Sequence, residues 1–110
     1  MPIFTLLHKR GMVAQVLHAL MLHYQHTAFY QQVIFKYLAM ETEQYDLIFA
    51  DPPYDLNRIP DIPKVIFENE LLLPGGMLIV EHQSMQNLSQ HPNFTEQRKY
   101  GHSSFSFFKA

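Results

Sequence analysis

The chain has 110 residues, 47% of them hydrophobic and 16% charged, with a formal net charge of -2 and no cysteine. This composition is typical of a globular protein, because it is too apolar for a disordered chain and has no apolar run long enough to cross a membrane. The lack of cysteine excludes a disulfide framework, a thiolate zinc site and a cysteine nucleophile.

The length predicts one domain over residues 1–110 and sets an upper limit on its size. A complete seven-stranded doubly wound sheet needs about 150 residues, so this chain is about 40 residues too short for one. A self-sufficient large α/β enzyme is therefore not expected. The first residues do not form a secretory signal, so we expect a cytoplasmic protein.

The amino-terminal part differs from the rest in charge and in pattern. Residues 1–40 carry three basic residues and no acidic one, whereas residues 41–110 hold all ten acids. The apolar residues of 12–32 recur every three or four positions, which predicts a helix over most of this segment. Residues around Val13 and residues 33–37 alternate instead, so a short strand at either end of the helix is an open alternative.

The middle of the chain predicts a parallel strand–helix–strand unit. The apolar run Leu47–Ala50 is ended by two prolines, as in a buried parallel strand, and Met77–Val80 is a second such run, ended by Glu81 and His82. Between them, Pro60 and Pro63 open a helix that we expect to reach Leu72 and to be stopped by Pro74-Gly75-Gly76. Two such strands joined by a helical crossover predict an α/β fold.

The last part of the chain predicts a loop followed by a hairpin. Residues 83–93 are polar and indicate a loop or a short helix. Two strands, 94–100 and 104–109, are expected to pair across the turn Gly101-His102-Ser103.

The tetrapeptide Asp51-Pro52-Pro53-Tyr54 is the strongest candidate for a functional site. It follows the first buried strand, and ligands of parallel sheets bind beyond the carboxyl ends of the strands. The two prolines leave stiff, outward carbonyl acceptors, Asp51 adds an ionised acceptor, and Tyr54 adds an aromatic face. Such a set suits a planar group with an exocyclic amine, although a simple strand-ending turn would have the same residues.

Residues 45–54 resemble motif IV of the amino-methylating class I methyltransferases, which use S-adenosylmethionine. The continuation resembles one branch of them, the RsmD-like guanine-N2 methyltransferases of small-subunit (16S) ribosomal RNA. The shared segments include Phe67–Leu72, Pro74-Gly75-Gly76, Leu78–His82 and the tail Arg98–Gly101 with Phe105–Phe108. The resemblance covers residues 34–110.

The resemblance implies a class I methyltransferase-like (Rossmann-like) sheet, truncated at its amino-terminal side and closed by a carboxyl-terminal antiparallel hairpin. In it, Asp51 and the carbonyl of Pro52 would bind the amine of the target base, Pro53 would stiffen the turn and Tyr54 would stack on the base. The implied cofactor is S-adenosylmethionine and the implied partner is ribosomal RNA. The implied chemistry needs no metal.

The family's cofactor motifs are not recognisable in this chain, so its cofactor-binding residues stay unknown. Gly11 is the only glycine before Gly75, and no acidic residue precedes Glu41. Three hypotheses for the atypical segment 1–33 remain open. It is a shortened remnant of the family's second strand and helix, a frame-shifted or mis-started beginning, or a new helix with another role.

Weaker candidates each have a structural alternative. His23 and His26 have a metal-ligand spacing but lack a neighbouring carboxylate. Glu81 and His82 are either catalytic or a strand-capping pair. Residues 98–100 either contact RNA or form a solvated hairpin face, and the aromatic residues of 105–108 predict core packing.

Two main hypotheses for function follow from these patterns. The first is a methyltransferase that acts on a guanine amine of ribosomal RNA. The second is a non-catalytic remnant or interaction module. Its exposed sheet edge, where earlier strands should pair, is expected to be covered by a partner or by self-association. An adenine-N6 methyltransferase of DNA is a third hypothesis, since it would share the tetrapeptide but not the tail.

Overall fold

The structure is a computed structural model that describes residues 4–7, 13–16, 36, 44–51 and 58–110. The described residues include one sheet, a helix that packs on it, and Lys36, which is helical. The strands are β1 (Phe4–Leu7), β2 (Val13–Val16), β3 (Tyr45–Ala50), β4 (Leu72–Gln83), β5 (Phe94–Tyr100) and β6 (Ser103–Lys109), and the helix is α1 (Asp61–Glu68).

The sheet is mixed, with the strand order β2-β1-β3-β4-β6-β5. β3 and β4 are parallel, as predicted from their apolar runs, and their register pairs Ala50 with Val80. β6 is antiparallel to β4, and β5 is antiparallel to β6. The predicted hairpin is thus confirmed, and its second strand lies beside β4. β1 pairs with β3 in antiparallel orientation and β2 pairs with β1.

The prediction for the amino-terminal segment was wrong over Val13–Val16, which form a strand and not a helix. The alternating pattern near Val13, kept open as an alternative, was the better guide because a strand exposes successive side chains to opposite faces. Lys36 is helical, so the strand alternative for residues 33–37 is wrong at that position. The rest of 12–32, including His23 and His26, lies outside the described residues.

The core lies between α1 and one face of the sheet. α1 buries Ile62, Pro63 and Ile66, of which the two isoleucines have the helical spacing of four. Both isoleucines are fully buried, as are Leu78 of β4 and Phe108 of β6. Alternate residues over much of β3, β4 and β6 face this core, since the side-chain period of a strand is two. The prediction that Phe105, Phe107 and Phe108 all pack in the core holds fully for Phe108, while the other two are half-buried on the opposite face.

α1 ends earlier than predicted, at Glu68, because its last carbonyls are satisfied by a backbone turn. The N–H of Leu71 bonds to the carbonyl of Ile66 at 3.1 Å, and that of Glu70 bonds to Phe67 at 3.2 Å. This pair of bonds is the Schellman motif, and it places Glu70 in the left-handed region with φ of 53°. Glycine usually occupies this position, so the helix end carries no obvious sequence signal here.

Pro74-Gly75-Gly76 lies inside β4 and does not stop the helix, contrary to the prediction. Tyr45 pairs with Leu72 and Leu47 pairs with Met77. The register between β3 and β4 therefore shifts here, and β4 has extra residues that form a bulge-like irregularity. Gly75 has φ of +80°, and a Cβ on Gly76 would lie 2.9 Å from the carbonyl oxygen of Leu73. Gly75 adopts the left-handed φ of this irregularity without strain, and Gly76 permits the close backbone approach.

β4 also continues beyond the predicted end, through Glu81 and His82 to Gln83. The polar residues extend the strand because His82 pairs with Ser104 and Gln83 with Ser103 of β6. Residues 84–93 then form the turns and loop that the composition indicated. Among the described residues, no helix is long and apolar enough to cross a membrane.

Candidate functional site

The carboxyl ends of β3 and β4 meet at one edge of the sheet, and two carboxyl side chains lie there. Asp51 follows the last residue of β3, and Glu81 follows Val80, which is paired with Ala50. Ala50 and Val80 are fully buried on the core face, so Asp51 and Glu81 face the opposite side of the sheet. Both are half-buried. They therefore form a pair of neighbouring acids at the edge where ligands of parallel sheets bind.

The environment of Asp51 shifts its titration. Burial raises the pKa of Asp51, because desolvation disfavours the charged form, while the positive charge of the chain's amino terminus and a hydrogen bond with Glu81 lower it in part. Each carboxylate oxygen carries two lone pairs, so a half-buried carboxylate can accept several hydrogen bonds. Asp51 is thus suited to accept hydrogen bonds from a ligand.

His82 has a structural role beside this pair. Its ring is fully buried; Nδ1 lies 2.7 Å from the carbonyl oxygen of Gln83, and Nε2 lies 2.7 Å from Oγ of Ser106. Since a carbonyl oxygen only accepts, Nδ1 carries the proton of the neutral ring and Nε2 accepts from the hydroxyl of Ser106. Burial lowers the pKa of His82, although the carbonyl of Gln83 raises it in part. The bond to Ser106 ties the end of β4 to β6.

The hairpin turn lies at the same edge of the sheet, on the far side of β4. Ser84 donates a hydrogen bond to the carbonyl of Gly101 at 3.0 Å, and its hydroxyl lies 2.9 Å from that of Ser104. A small cavity of about 200 Å³ is present here, lined by Gln83, Ser84, Met85 and His102. The turn is therefore anchored to the segment that follows β4.

The basic residues of the hairpin are only partly available for a ligand. Arg98 forms an ion pair with Glu96 at 3.2 Å and lies 5.5 Å from the centre of the Phe107 ring. Tyr100 is 62% exposed and packs edge-on against Phe105. The solvated hairpin face expected as the structural alternative for residues 98–100 agrees with this exposure.

Of the four predicted site residues, the structure describes Asp51, whereas Pro52, Pro53 and Tyr54 lie outside the described residues. Asp51 is placed as predicted, directly after a parallel strand. Glu81, which the sequence favoured as a strand cap, is brought next to Asp51. One signal could have found it, because each acid directly follows an apolar run of four residues.

Two further cavities that are lined by described residues lie elsewhere on the molecule. One of about 390 Å³ is at the opposite edge of the sheet, between Gln44, Glu70 and Asn93, and another of about 310 Å³ lies between Lys64 and His91. Neither is lined by the acidic pair. In this part of the chain, no group of three or more His, Asp or Glu residues could hold a metal ion.

The described residues do not form a complete site for S-adenosylmethionine. The family that the sequence resembles holds this molecule with a glycine-rich turn after a parallel strand. Here the strand beside β3 is β1, which is antiparallel and begins, rather than ends, at the edge near Asp51, since Phe4 pairs with Ala50. The described glycines lie elsewhere, in the irregularity of β4 and in the hairpin turn. The described residues therefore include no glycine-rich turn that would hold the nucleoside.

Comparison with solved structures supports the fold. HI0767 of Haemophilus influenzae, a candidate methylase, matches with a TM-score of 0.58 at 23% identity, over 68% of this chain and 49% of that chain. The candidate methyltransferase yhhF of Escherichia coli matches with a TM-score of 0.57 at 16% identity, over 68% of this chain and 42% of that one. The matches show a shared methylase-like α/β fold, and this chain spans less than half the length of these two proteins.

Sequence comparison gives the family. The uncharacterized methylase RP545 of Rickettsia prowazekii is 33% identical over 42 residues, which are 38% of this chain and 18% of that protein. The model of a family described as conserved hypothetical protein 95 matches residues 7–109. This match begins well before residue 34, so it includes most of the segment that the resemblance left aside. The chain belongs to the conserved hypothetical protein 95 family.

Proposed function

We propose that this chain takes part in methyl transfer to the exocyclic amine of a guanine in small-subunit ribosomal RNA. Three lines support the proposal: the family membership, the methylase names of the relatives, and the tetrapeptide that begins at Asp51. The observation that carries it is the position of Asp51, a half-buried acceptor at the carboxyl edge of two parallel strands. S-adenosylmethionine, when bound, would supply the methyl group.

The role of Asp51 in this proposal is to bind and orient the amine. Its carboxylate accepts a hydrogen bond from the amine, which favours a pyramidal nitrogen. The nitrogen lone pair is then less conjugated with the ring and is available to attack the methyl group. The carbonyl of Pro52 and the ring of Tyr54 are proposed to complete the contact with the base. The residues that bind the methyl donor are proposed to lie outside the described part of the chain.

The test is a transfer assay with tritiated methyl donor and purified small-subunit ribosomal RNA. The wild-type chain is expected to transfer label, and Asp51→Ala should lower the rate at least about a hundredfold, as for loss of a preorganised polar group. Glu96→Gln, an exposed change on β5, is the matched control and should retain the wild-type rate. Undiminished transfer by Asp51→Ala would contradict the role given to this residue.

The alternative function is a non-catalytic interaction module. The edge of β3, where earlier strands were expected to be missing, is covered by β1 and β2, so the prediction was wrong about which edge is exposed. The proposal instead uses β5, which is the outermost described strand on its side of the sheet and has mostly exposed residues. Calorimetric titration with S-adenosylmethionine and analytical ultracentrifugation separate the two functions. Micromolar binding of the donor supports the enzyme, whereas no binding together with a concentration-dependent dimer supports the module.

A further inference from the structure

Two large apolar side chains are exposed beside the hairpin turn. Among the described residues, the exposed large hydrophobic side chains are Met85, at 85% exposure, and Tyr100, at 62%. Tyr100 ends β5 directly before the turn, and Met85 follows Ser84, whose N–H bonds to the carbonyl of His102 at 2.8 Å. Exposed apolar groups that gather at one place indicate a binding surface.

The ring of Tyr100 rests on a second aromatic ring. Its centre lies 5.7 Å from the centre of the Phe105 ring at an interplanar angle of 73°, which is the edge-to-face contact that aromatic pairs prefer. Phe105 in turn lies 6.4 Å from Phe49 of β3. The turn after Tyr100 is fixed by the hydrogen bond that Ser84 donates to the carbonyl of Gly101 at 3.0 Å. A ring held in this way loses little conformational freedom when a ligand stacks on it.

Tyr100 lies on the same face and at the same edge of the sheet as Asp51. Glu81, which follows β4's pairing partner of the last β3 residue, pairs with Phe105, and Phe105 pairs with Arg98. Arg98 and Tyr100 are two residues apart on β5, so they share the face opposite the core. Phe105 is two strand spacings, or about 10 Å, from Asp51. A base at Asp51 and a base on Tyr100 therefore belong to different nucleotides.

Arg98 places a positive charge on this face. Its guanidinium lies 5.5 Å from the centre of the Phe107 ring, which is a cation–π distance. Two of its N–H groups bond to Glu96, and a guanidinium has further N–H donors that a phosphate can use. An aromatic ring beside a cation suits an unpaired nucleotide, because the ring stacks on the base and the cation contacts the phosphate.

We propose that Tyr100 and Arg98 bind a nucleotide that neighbours the target guanine: its base stacks on the ring of Tyr100, and its phosphate accepts hydrogen bonds from Arg98. The ligand class is unpaired RNA, because the bases of a duplex are already stacked on one another. Every base has a π-face, so this site does not select a sequence. The target guanine rests on the proposed function, whereas the stacking on Tyr100 does not.

The experiment measures RNA affinity by fluorescence anisotropy with three labelled oligomers. They are an oligouridine with one central guanosine, the oligouridine without guanosine, and a guanosine flanked by abasic sites only. The proteins are the wild-type chain, Tyr100→Phe, Tyr100→Leu and Arg98→Gln. Lys109→Gln is the matched control for charge, because Lys109 is exposed and lies at the other end of β6, where it pairs with Met77. Circular dichroism checks that each variant is folded.

We expect Tyr100→Leu to weaken the binding of both uridine-containing oligomers about fivefold or more, because one stacked base is lost. Tyr100→Phe keeps the ring and should stay within about twofold of wild type. The abasic oligomer should bind alike to the wild-type chain and to Tyr100→Leu, since it has no neighbouring base. Arg98→Gln should reduce the log–log slope of affinity against salt by about 0.7, whereas Lys109→Gln should leave it unchanged.

Equal affinity of the wild-type chain and Tyr100→Leu for oligouridine overturns the proposal, as does the absence of measurable binding by the wild-type chain. An equal loss with the abasic oligomer also overturns it, because Tyr100 would then act without a base. A loss of self-association in Tyr100→Leu at unchanged RNA affinity would instead assign the ring to a second copy of the chain. If the wild-type chain does not prefer the guanosine oligomer over oligouridine, the amine contact of the proposed function fails, and the Tyr100 variants still decide this site.

Discussion

The buried hydrogen bond between Ser106 and His82 makes Ser106→Ala an informative change. Both side chains are fully buried, and Oγ of Ser106 lies 2.7 Å from Nε2 of the ring. The alanine variant leaves Nε2 buried without its donor, which costs about 1–3 kcal/mol of unfolding free energy. Since each kcal/mol shifts the melting temperature of a domain of this size by about 4–8 °C, the loss is readily measured.

The assay is urea and thermal unfolding of four chains: wild type, Ser106→Ala, His82→Leu and the double variant. Replacing both partners by apolar groups removes the unpaired atom, so the double variant should be less destabilised than the sum of the single variants by about 1 kcal/mol or more. Ser89→Ala, at an exposed serine, is the matched control and should stay within about 0.5 kcal/mol of wild type. Additive losses for the two single changes would refute the pairing of Ser106 with His82.

Three further predictions follow from the fold. Glu70→Gly should raise the unfolding free energy by about 1 kcal/mol, because Glu70 holds a left-handed φ of 53° that glycine adopts without strain; a fall in the urea midpoint would contradict this. Gly76→Ala should lower the unfolding free energy by about 1–3 kcal/mol, since its Cβ would meet three backbone carbonyls within 3.2 Å, and an unchanged melting temperature would refute that approach. The pKa of His82 is lowered by burial, so the unfolded chain binds the extra proton and stability should fall as the pH drops below about 6.5. This loss should be smaller in His82→Gln, and an identical pH profile of unfolding in both chains would contradict it.

The position of Asp51 could be predicted because its signal is local. Four apolar residues followed by an acid and two prolines describe a buried strand and its end, and no distant residue is needed to recognise them. The hairpin of β5 and β6 was predictable for the same reason, since its strands are joined by a short turn containing Gly101. The end of α1 was not, because Glu70 takes a place where glycine is the usual signal.

The partner of Asp51 and the role of His82 could not be read from local pattern. Glu81 is brought to Asp51 by the register of two strands that are separated by a whole crossover, and Ser106 meets His82 from a third strand, 24 residues away. Pro74-Gly75-Gly76 looked like a helix stop because the local pattern does not show which distant strand these residues approach. Gly76 serves a close approach to the backbone of β3, which only the paired strands reveal.

The sequence by itself determined the α/β class, the parallel pair β3 and β4, and the acceptor at the end of β3, because periodicity and turn residues act over a few positions. The tertiary structure decided which groups surround that acceptor. Sheet register sets those neighbours, and register depends on contacts between segments far apart in the chain. That register turns Asp51 from a lone acid at a strand end into half of a carboxyl pair with Glu81.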